Sequence, residues 1–190
     1  MQGTAILLAA GASRRMGSPK ALLPWGTGTF VQHLCSQLDG LDFAARGVVT
    51  RPELANRLNV DWPIWINPLP DRGMVSSLQT ALQFVSPDCP WVMVCLVDQP
   101  AISSETFRKM AARAGETGWT SPVYRGRRGH PVVIGRECFA ALRAAEAEQN
   151  PRDVLSRFPR TLVEVDDAGV AQDFDTPEEW QSFQKAKVGR

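Results

Sequence analysis

Short runs of apolar residues alternate along this chain with segments in which apolar residues recur at helical spacing. The runs "TAILLA" (Thr4–Ala9), "GVVT", "IWIN" and "WVMVCLV" (Trp91–Val97) contain no charged side chain, which is typical of strands buried on both faces. Between them, "TFVQHLCSQL" (Thr29–Leu38) and "MVSSLQTALQFV" (Met74–Val85) have the periodicity of amphipathic helices. This alternation predicts an α/β fold with a doubly wound, mostly parallel central sheet.

Polar residues ahead of several helical patterns predict where the helices begin. Thr29 is expected to cap the first helix, and Ser103 and Ser104 lie where a cap should start a helix through Phe107 and Met110. The segment "PELANRL" predicts a short helix between two strands. A last helix is expected at "TPEEW", because proline in the first turn followed by two glutamates favours a helix N-terminus.

The pattern changes after about Gly118. The segment "TSPVYRGRRGHPVVIG" predicts a β-excursion around the polar turn "RGRRG". A helix is expected over Arg136–Glu148 and another from "NPRDVL", before a strand at "TLVEVD". No repeat, low-complexity tract or linker interrupts the 190 residues, so we predict one domain over residues 1–190.

Charge and hydropathy limit the classes of partner. The net charge is +1, so no basic field over the whole chain favours nucleic acid. No apolar stretch approaches the ~18 residues that span a bilayer. The apolar run Ala5–Ala10 is too short for a secretory signal, and its nearest cations, Arg14 and Arg15, follow it instead of preceding it. We therefore expect a cytoplasmic protein that binds neither nucleic acid nor membranes.

The cysteines and histidines lack the spacing of a metal site. No Cys-x-x-Cys and no paired histidine spacing occurs, so a structural zinc ion is not expected. Cys95 lies inside an apolar run, which indicates a buried thiol in a reducing compartment. These residues are Cys35, Cys89, Cys95, Cys138, His33 and His130.

A basic, glycine-containing loop follows the first predicted strand. In an open parallel sheet, this position is at the carboxyl edge of the strands, where ligands bind. Gly11 and Gly17 let backbone amides approach an anion closely, while Arg14, Arg15 and Lys20 add positive charge. A polyphosphate is the natural ligand of such a loop. The alternative, a solvated basic turn, remains open on composition alone.

Two familiar phosphate-binding motifs are absent. A Walker A motif has lysine and serine or threonine directly after its last glycine, whereas Gly17 is followed by Ser18 and Pro19. The dinucleotide fingerprint G-x-G-x-x-G is also missing, because "GTGTFV" contains only a lone G-x-G.

Three aspartates are placed where their carboxylates can face the basic loop. Asp98 directly follows the strand Trp91–Val97, so it should project toward the basic loop. Asp173 and Asp175 are two apart on an expected strand, which would direct both to one side and Phe174 to the core. Alternatively, these two aspartates only cap the following helix.

The basic loop also carries a longer pattern. The segment "LAAGASRRMGSPKALLPW" resembles the signature L-A-[AG]-G-x-S-x-R-M-G-x-x-K of the MobA-like nucleotidyltransferases, especially the molybdenum cofactor cytidylyltransferases. The resemblance continues, in order, through "NPLPDRGMVSSL", "LVDQP", "GHPVVI" and "DFDTPEEW". It implies a Rossmann-like three-layer sandwich of the nucleotide-diphospho-sugar transferase type, forming a single nucleotidyltransferase domain.

The resemblance implies a role for each matched residue. Arg15, Lys20 and Asp98 would be catalytic, and Asp98 would bind Mg²⁺ together with Asp173 or Asp175. His130 would lie near the acceptor, unless it only satisfies a turn. The implied nucleotide-binding residues are Leu8, Ala9, Ala10, Gly11, Arg14, Gly17, Asn67, Gly73, Ser76 and Ser77. For the two serines, capping of the following helix is the alternative.

The resemblance implies transfer of CMP from CTP to the phosphate of molybdopterin, with release of pyrophosphate. The chain has the A-A-G form of the first motif, which goes with cytidine, whereas the A-G-G form goes with guanosine. A phosphomonoester with a second pKa near ~6 is already a nucleophile, so no Ser-His-Asp or Cys-His arrangement is needed.

Four alternatives to this function remain open. The loop could serve GTP, or the acceptor could be a sugar phosphate. The same fold could support a nicotinamide-dependent oxidoreductase, or a non-catalytic chaperone that delivers the cofactor to a molybdenum hydroxylase. Lys20, Asp98 and Asp175 argue against the chaperone, because delivery needs no metal site at the α-phosphate.

Overall fold

The structure is a computed structural model that describes residues 2–188. The strands are β1 (Thr4–Leu8), β2 (Pro24–Trp25), β3 (Gly28–Thr29), β4 (Ala45–Thr50), β5 (Ile64–Ile66), β6 (Trp91–Leu96), β7 (Trp119–Tyr124), β8 (Arg127–Arg128), β9 (Val132–Gly135) and β10 (Arg160–Glu164). The helices are α1 (Phe30–Asp39), α2 (Met74–Phe84), α3 (Ser104–Ala111), α4 (Phe139–Ala144), α5 (Pro151–Leu155) and α6 (Pro177–Val188).

A mixed, mostly parallel sheet forms the centre of the fold. Its strand order is β10-β7-β9-β6-β1-β4-β5, and β8 pairs with β7. β1 is parallel to β4 and β6, and β7 is parallel to β10, whereas β9 runs antiparallel between β6 and β7. The prediction of an α/β fold with a mostly parallel sheet is confirmed.

Apolar side chains pack on both faces of the sheet. Along β1, Ala5 and Leu7 point to the side covered by α1, α3 and α6, while Ile6 and Leu8 point to the side covered by α2, α4 and α5. Because successive side chains of a strand alternate between faces, a strand between two helical layers is apolar throughout. These layers form the three-layer sandwich.

Two of the predicted helix starts are capped as expected. Thr29 Oγ1 accepts a hydrogen bond from the backbone N–H of Gln32, and the Gln32 side chain accepts one from the Thr29 N–H, which completes a capping box. Ser103 Oγ accepts a hydrogen bond from the Thr106 N–H at 3.2 Å and caps α3. Local sequence therefore determines where these helices begin.

Two predicted helices differ from expectation. The segment "PELANRL" forms a 3-10 helix over Pro52–Arg57, and the predicted helix Arg136–Glu148 is a 3-10 turn followed by α4, which ends at Ala144. The Gln79 side-chain amide donates to the carbonyls of Leu142, Arg143 and Ala145. This side chain occupies acceptors that a continuing helix would use, so the helix stops there.

The expected strand at Asp173–Asp175 does not form, and this prediction is wrong. The segment is irregular, and the Phe174 N–H donates to the Asp98 carbonyl at 3.1 Å instead of pairing with a strand. Phe174 is nevertheless buried in the core, as predicted. The segment is therefore attached to the end of β6 through its backbone.

Two further observations concern the cysteines and the helices. All four cysteines are free and buried, which confirms the prediction made for Cys95. Within residues 2–188, no helix is both long enough and apolar enough to cross a membrane.

Candidate functional site

The carboxyl ends of three parallel strands bring the predicted site residues together. The Val97 N–H donates to the Leu8 carbonyl at 3.1 Å, and the Ala9 N–H donates to the Val49 carbonyl at 2.8 Å. These hydrogen bonds continue the pairing of β1 with β6 and β4. The basic loop therefore begins beside Asp98, although the two are far apart in the chain.

A first cavity of about 340 Å³ lies between the basic loop and the start of α2. Eleven of the predicted site residues line it. They are Leu8, Ala9, Ala10, Gly11, Arg14, Arg15, Lys20, Gly73, Ser77, Asp98 and Asp175.

A second cavity of about 590 Å³ adjoins the first. His130 and Asp173 line this second cavity, so the two members of the aspartate pair face different spaces. Gly73, Met74, Leu96 and Asp98 line both cavities, which makes Asp98 part of the wall between them. Gly17, Asn67 and Ser76 line neither cavity.

The backbone of the basic loop is shaped by two of its residues. Gly17 has φ +69°, a conformation that side-chain-bearing residues rarely adopt. Ser13 Oγ accepts a hydrogen bond from the Lys20 N–H at 3.1 Å and so links the loop to the 3-10 turn that follows it. A Cβ added at Gly11 would meet nothing within 4 Å, so the cavity is open directly against this part of the backbone.

Lys20 connects two carboxylates at the junction of the cavities. Its Nζ donates to Asp98 Oδ2 at 3.0 Å and also to Asp175 Oδ1. Arg15 pairs with the other oxygen of Asp175. The Lys20 side chain is 12% exposed, whereas Arg15 is 71% exposed. Lys20 is thus enclosed between the carboxylates, and Arg15 closes the cluster from the solvent side.

The ionisation of this cluster reflects burial and pairing. Burial lowers the pKa of Lys20, but the charges of Asp98 and Asp175 and their hydrogen bonds outweigh it, so the pKa is raised. Burial raises the pKa of Asp98 despite the opposing charge of Lys20. The hydrogen bond from Lys20 is the main reason why the pKa of Asp175 is lowered. Lys20 is therefore a fixed cation at neutral pH, and Asp175 a fixed anion.

Thr176, and not an aspartate, caps α6. Thr176 Oγ1 accepts a hydrogen bond from the Glu179 N–H at 3.3 Å, and the Glu179 carboxylate accepts hydrogen bonds from the N–H groups of Asp175 and Thr176. The alternative in which Asp173 and Asp175 only cap the helix is therefore wrong. The Asp175 carboxylate instead pairs with Lys20 and Arg15.

An aromatic cluster fixes the position of this segment. The Phe174 ring lies 5.2 Å from that of Trp180 and 4.9 Å from that of Phe183, both on α6, and 5.9 Å from that of Phe30 on α1. Trp25 stacks on Trp180 at 5.7 Å. Packing of these rings anchors the residue between Asp173 and Asp175, so the two carboxylates are held on a rigid support.

Asn67 organises the start of α2. Its side-chain amide donates to Ser76 Oγ at 2.9 Å and to Ser77 Oγ at 3.0 Å, and its Oδ1 accepts from the Leu69 N–H. Asn67 is 1% exposed. Gly73, at φ +101°, precedes the helix. Asn67 therefore shapes the turn from β5 to α2, and of the two serines only Ser77 reaches the first cavity.

His130 is held neutral in the second cavity. Burial, followed by the nearby charge of Arg152, lowers its pKa to about 4. Its backbone N–H donates to the Val170 carbonyl at 3.1 Å. At neutral pH the imidazole can donate one hydrogen bond and accept another, but it carries no charge.

The carboxylates suit a divalent cation that is shared with a ligand. Among residues 2–188, no three histidine, cysteine, aspartate or glutamate side chains cluster closely enough to form a metal cage. Asp98 Oδ1 is buried and accepts no hydrogen bond from the described residues. Mg²⁺ is commonly bound by one or two carboxylates plus substrate phosphates, so these residues fit it when a polyphosphate completes the coordination.

Sequence reasoning missed much of the second cavity. Gln99, Trp119 and four arginines line it without having been identified as site residues: Arg127, Arg128, Arg152 and Arg160. The polar turn "RGRRG" could have indicated Arg127 and Arg128, and the matched motif "LVDQP" contains Gln99. Trp119, Arg152 and Arg160 come from segments distant in the chain, which only the fold brings together.

The sequence matches a known family and is similar to several named proteins. Residues 5–164 match the MobA-like NTP transferase domain. The chain is 28% identical to molybdenum cofactor cytidylyltransferase of Escherichia coli, over 92% of each protein. It is 31% identical to a probable molybdenum cofactor guanylyltransferase of Carboxydothermus hydrogenoformans, over 85% of this chain and 80% of that protein. It is also 32% identical to nicotine blue oxidoreductase of Paenarthrobacter nicotinovorans, over 93% of each.

The fold is similar to that of solved structures. The Rv0371c homologue from Mycobacterium sp. strain JC1 superposes with a TM-score of 0.83 and 27% identity, over 98% of this chain and 97% of that one. The similarity therefore extends over the sheet, both helical layers and the segment that carries Asp173 and Asp175.

Proposed function

Because this chain belongs to the MobA-like NTP transferase family, we propose that it transfers CMP from CTP to the phosphate of molybdopterin and releases pyrophosphate. The observation that carries the proposal is Lys20, which bridges Asp98 and Asp175 where the two cavities meet. A cation and carboxylates at such a junction suit a reaction between a triphosphate on one side and an anionic acceptor on the other. We assign this activity to residues 1–190 as one domain.

The first cavity is proposed to hold the nucleotide. Leu8, Ala9 and Ala10 offer small apolar surface and backbone groups to the base and ribose. Arg14, Arg15 and Lys20 carry the charge that a triphosphate needs, and the cavity is open against the Gly11 backbone. Arginine grips phosphate oxygens with two parallel hydrogen bonds, whereas lysine acts as a point charge.

Asp98 and Asp173 are proposed to hold Mg²⁺ together with the nucleotide phosphates. Asp98 has an oxygen without a hydrogen-bond partner, and Asp173 makes no ion pair with any residue in the described part of the chain. Asp175 is already neutralised by Lys20 and Arg15, which makes it a weaker ligand. When bound, the ion would withdraw charge from the reacting phosphate. Asp175 then serves to orient Lys20 and Arg15.

The reaction is a displacement at the α-phosphorus. An oxygen of the acceptor phosphate forms a bond to this atom, and the bond from phosphorus to the oxygen bridging the α- and β-phosphates breaks. Pyrophosphate leaves with the electron pair of that bond. Lys20 and Arg15 neutralise negative charge on the leaving group, and the two cavities hold the reactants on opposite sides of Asp98, so positioning supplies much of the catalysis.

The second cavity is proposed to take the acceptor. It contains His130 and four arginines, which suits a molecule that carries a phosphate. CTP is proposed as the donor because Ala9, Ala10 and Gly11 form the A-A-G sequence, and because a relative over nearly the full length is a cytidylyltransferase. GTP is the competing donor, since another relative is named a probable guanylyltransferase.

A redox function is the second candidate, because the chain is 32% identical to nicotine blue oxidoreductase. That alternative predicts hydride transfer from a nicotinamide dinucleotide, although the chain lacks the G-x-G-x-x-G fingerprint.

The test is to incubate the protein with each nucleoside triphosphate, Mg²⁺ and molybdopterin and to measure pyrophosphate. Parallel incubations with NADH or NADPH and an electron acceptor, followed by absorbance, test the redox alternative. Pyrophosphate that appears only with CTP and acceptor together supports the proposal. Release with GTP alone among the triphosphates would reassign the donor, and hydride transfer without pyrophosphate would overturn the proposal.

A further inference from the structure

Three arginines meet in the second cavity. Arg128 comes from β8, Arg152 from the first turn of α5, and Arg160 from the start of β10. They are close enough to interact: burial and the charges of Arg128 and Arg152 lower the pKa of Arg160. We call Arg128, Arg152 and Arg160 the arginine cluster.

The cluster has no carboxylate partner within residues 2–188. The side chains of Arg128 and Arg152 make no ion pair or hydrogen bond there, and Arg160 donates only to Ser121 Oγ, at 3.2 and 2.7 Å. Glu148 lines the same cavity but is paired with Arg72 at 2.8 Å. Asp98 and Asp173 also line this cavity, but neither is paired with an arginine of the cluster. Three guanidinium groups, which stay protonated, thus face one space without a paired carboxylate.

The Arg160 side chain is held in place by stacking on Trp119. Its guanidinium carbon lies 4.1 Å from the ring centroid of Trp119, which is 6% exposed. The indole N–H of Trp119 is buried and has no hydrogen-bond acceptor among the described residues. A stacked guanidinium and an unused donor beside it form a preorganised environment for an anion or another acceptor of hydrogen bonds.

Arg160 lies away from the reaction centre, whereas Arg128 pairs with Val123 and lies nearer to it. In the sheet, Arg160 pairs with Trp119, Trp119 with Ile134, and Ile134 with Val92. Val92 precedes Leu96, the last residue of β6, by four positions, which is about 13 Å at the usual rise of a strand. Leu96 is close to Asp98. The backbone of Arg160 is therefore well below the edge at which the phosphate would react.

We propose that the arginine cluster binds a second anionic group of the acceptor, separate from the phosphate that attacks CTP. This inference rests on the proposed function and defines its substrate class: the acceptor is anionic at two places. The same cavity is also lined by the apolar residues Val94, Leu96, Val132 and Ile134. In molybdopterin the second anion is either a pair of thiolates or the oxo group of an inserted metal, and both offer negative charge to guanidinium groups.

The first experiment measures steady-state kinetics with CTP and molybdopterin for Arg152→Gln, Arg160→Gln and Arg160→Lys. Loss of one charge-assisted contact should raise the KM for the acceptor by about tenfold. The KM for CTP should not change, and Arg160→Lys should restore part of the affinity. Arg157→Gln is the matched control, because Arg157 is exposed in the same segment and lines neither cavity.

The second experiment uses inorganic molybdate as the probe and does not depend on turnover. With saturating CTP in the first cavity, calorimetric titration of molybdate should report on the arginine cluster. Wild type and Arg157→Gln should bind equally, and Arg152→Gln and Arg160→Gln should bind about tenfold more weakly. Comparing metal-free with metal-loaded molybdopterin as ligands of wild type and Arg152→Gln then distinguishes thiolates from an oxo group.

The outcomes separate the two proposals. If molybdopterin is not a substrate but molybdate binding depends on Arg152 and Arg160, the proposed function fails and the anion site stands. If molybdopterin is a substrate and neither variant changes its KM, the second anionic subsite is refuted. Equal binding of molybdate to all four proteins refutes it as well, whatever the substrate is.

Discussion

Lys20 Nζ lies 3.0 Å from Asp98 Oδ2, although 78 positions separate the two residues. The contact depends on the parallel pairing of β1 with β6, which aligns the ends of both strands. The contact holds a cation and a carboxylate beside the cavity proposed for the triphosphate, which carries several negative charges. In the proposed function this contact places a cation beside the phosphates, and each partner can be tested by itself.

Lys20→Ala should weaken the binding of CTP by about tenfold or more, because one charge-assisted contact to phosphate is lost. The affinity for cytidine should not change, since the nucleoside has no phosphate. Calorimetric titration of both ligands measures the difference. Lys185→Ala is a suitable control, because Lys185 is exposed on α6 and lines neither cavity. Equal affinities of variant and wild type for CTP would contradict a role of Lys20 at the phosphates.

Asp173→Asn and Asp175→Asn should have different effects. Loss of an outer-shell partner already weakens metal binding by 10–100-fold, so loss of a direct ligand at Asp173 should raise the Mg²⁺ concentration for half-maximal rate by at least about tenfold. Asp175→Asn should shift this midpoint less, but it should lower the melting temperature, because Arg15 loses its carboxylate partner and Lys20 loses one of its two. The rate of pyrophosphate release, measured against Mg²⁺ concentration, gives the midpoint. Thermal unfolding gives the melting temperature. The reverse pattern would exchange the two roles.

Ala10→Gly should improve the use of GTP relative to CTP. Ala10 is 4% exposed and lines the first cavity, so removal of its methyl group enlarges the space beside the proposed base site. Shape alone contributes about 1–3 kcal/mol to discrimination, so we expect a shift in preference and not a complete switch. Competition between the two nucleotides in one assay gives the ratio of kcat/KM. A wild-type protein that prefers GTP would refute the assignment of cytidine.

His130 should make the protein less stable on acidification. Its pKa is about 4 in the folded protein and near 6.5 in an unfolded chain, so the unfolded state binds more protons between these values. The free energy of unfolding should therefore fall as the pH drops from 6.5 to 4, and His130→Gln should reduce this fall. Urea unfolding at several pH values measures it. Arg152→Gln should raise the pKa of His130 in an NMR titration, and an unchanged pKa would mean that burial alone lowers it.

The elements that the sequence predicted well are those determined locally. A strand between two helical layers is apolar on both faces, which made β1 and β6 recognisable from short runs of residues. The capping box at Thr29 needs only residues that are three positions apart. Asp98 follows from the same logic, because it comes directly after a recognisable strand.

The errors and omissions concern distant contacts. Asp173, Phe174 and Asp175 alternate like a strand, but the Phe174 N–H donates to the Asp98 carbonyl, and the segment pairs with no strand of the described sheets. Arg160 belongs to the second cavity because β10 pairs with β7, a pairing that no local pattern reveals. The helix after Arg136 ends early because the Gln79 side chain on α2 binds its last carbonyls. The sequence of the helix itself does not indicate this contact.

Because Asp98 lines both cavities, the arrangement has a consequence for release of the product. A dinucleotide formed from both reactants would occupy the two cavities at once and keep most contacts that each reactant made separately. Linked binding of this kind raises the effective concentration of each half beside its own cavity. The product would therefore leave slowly and compete with both substrates. A protein that takes it up from this complex would increase turnover without any change in the chemical step.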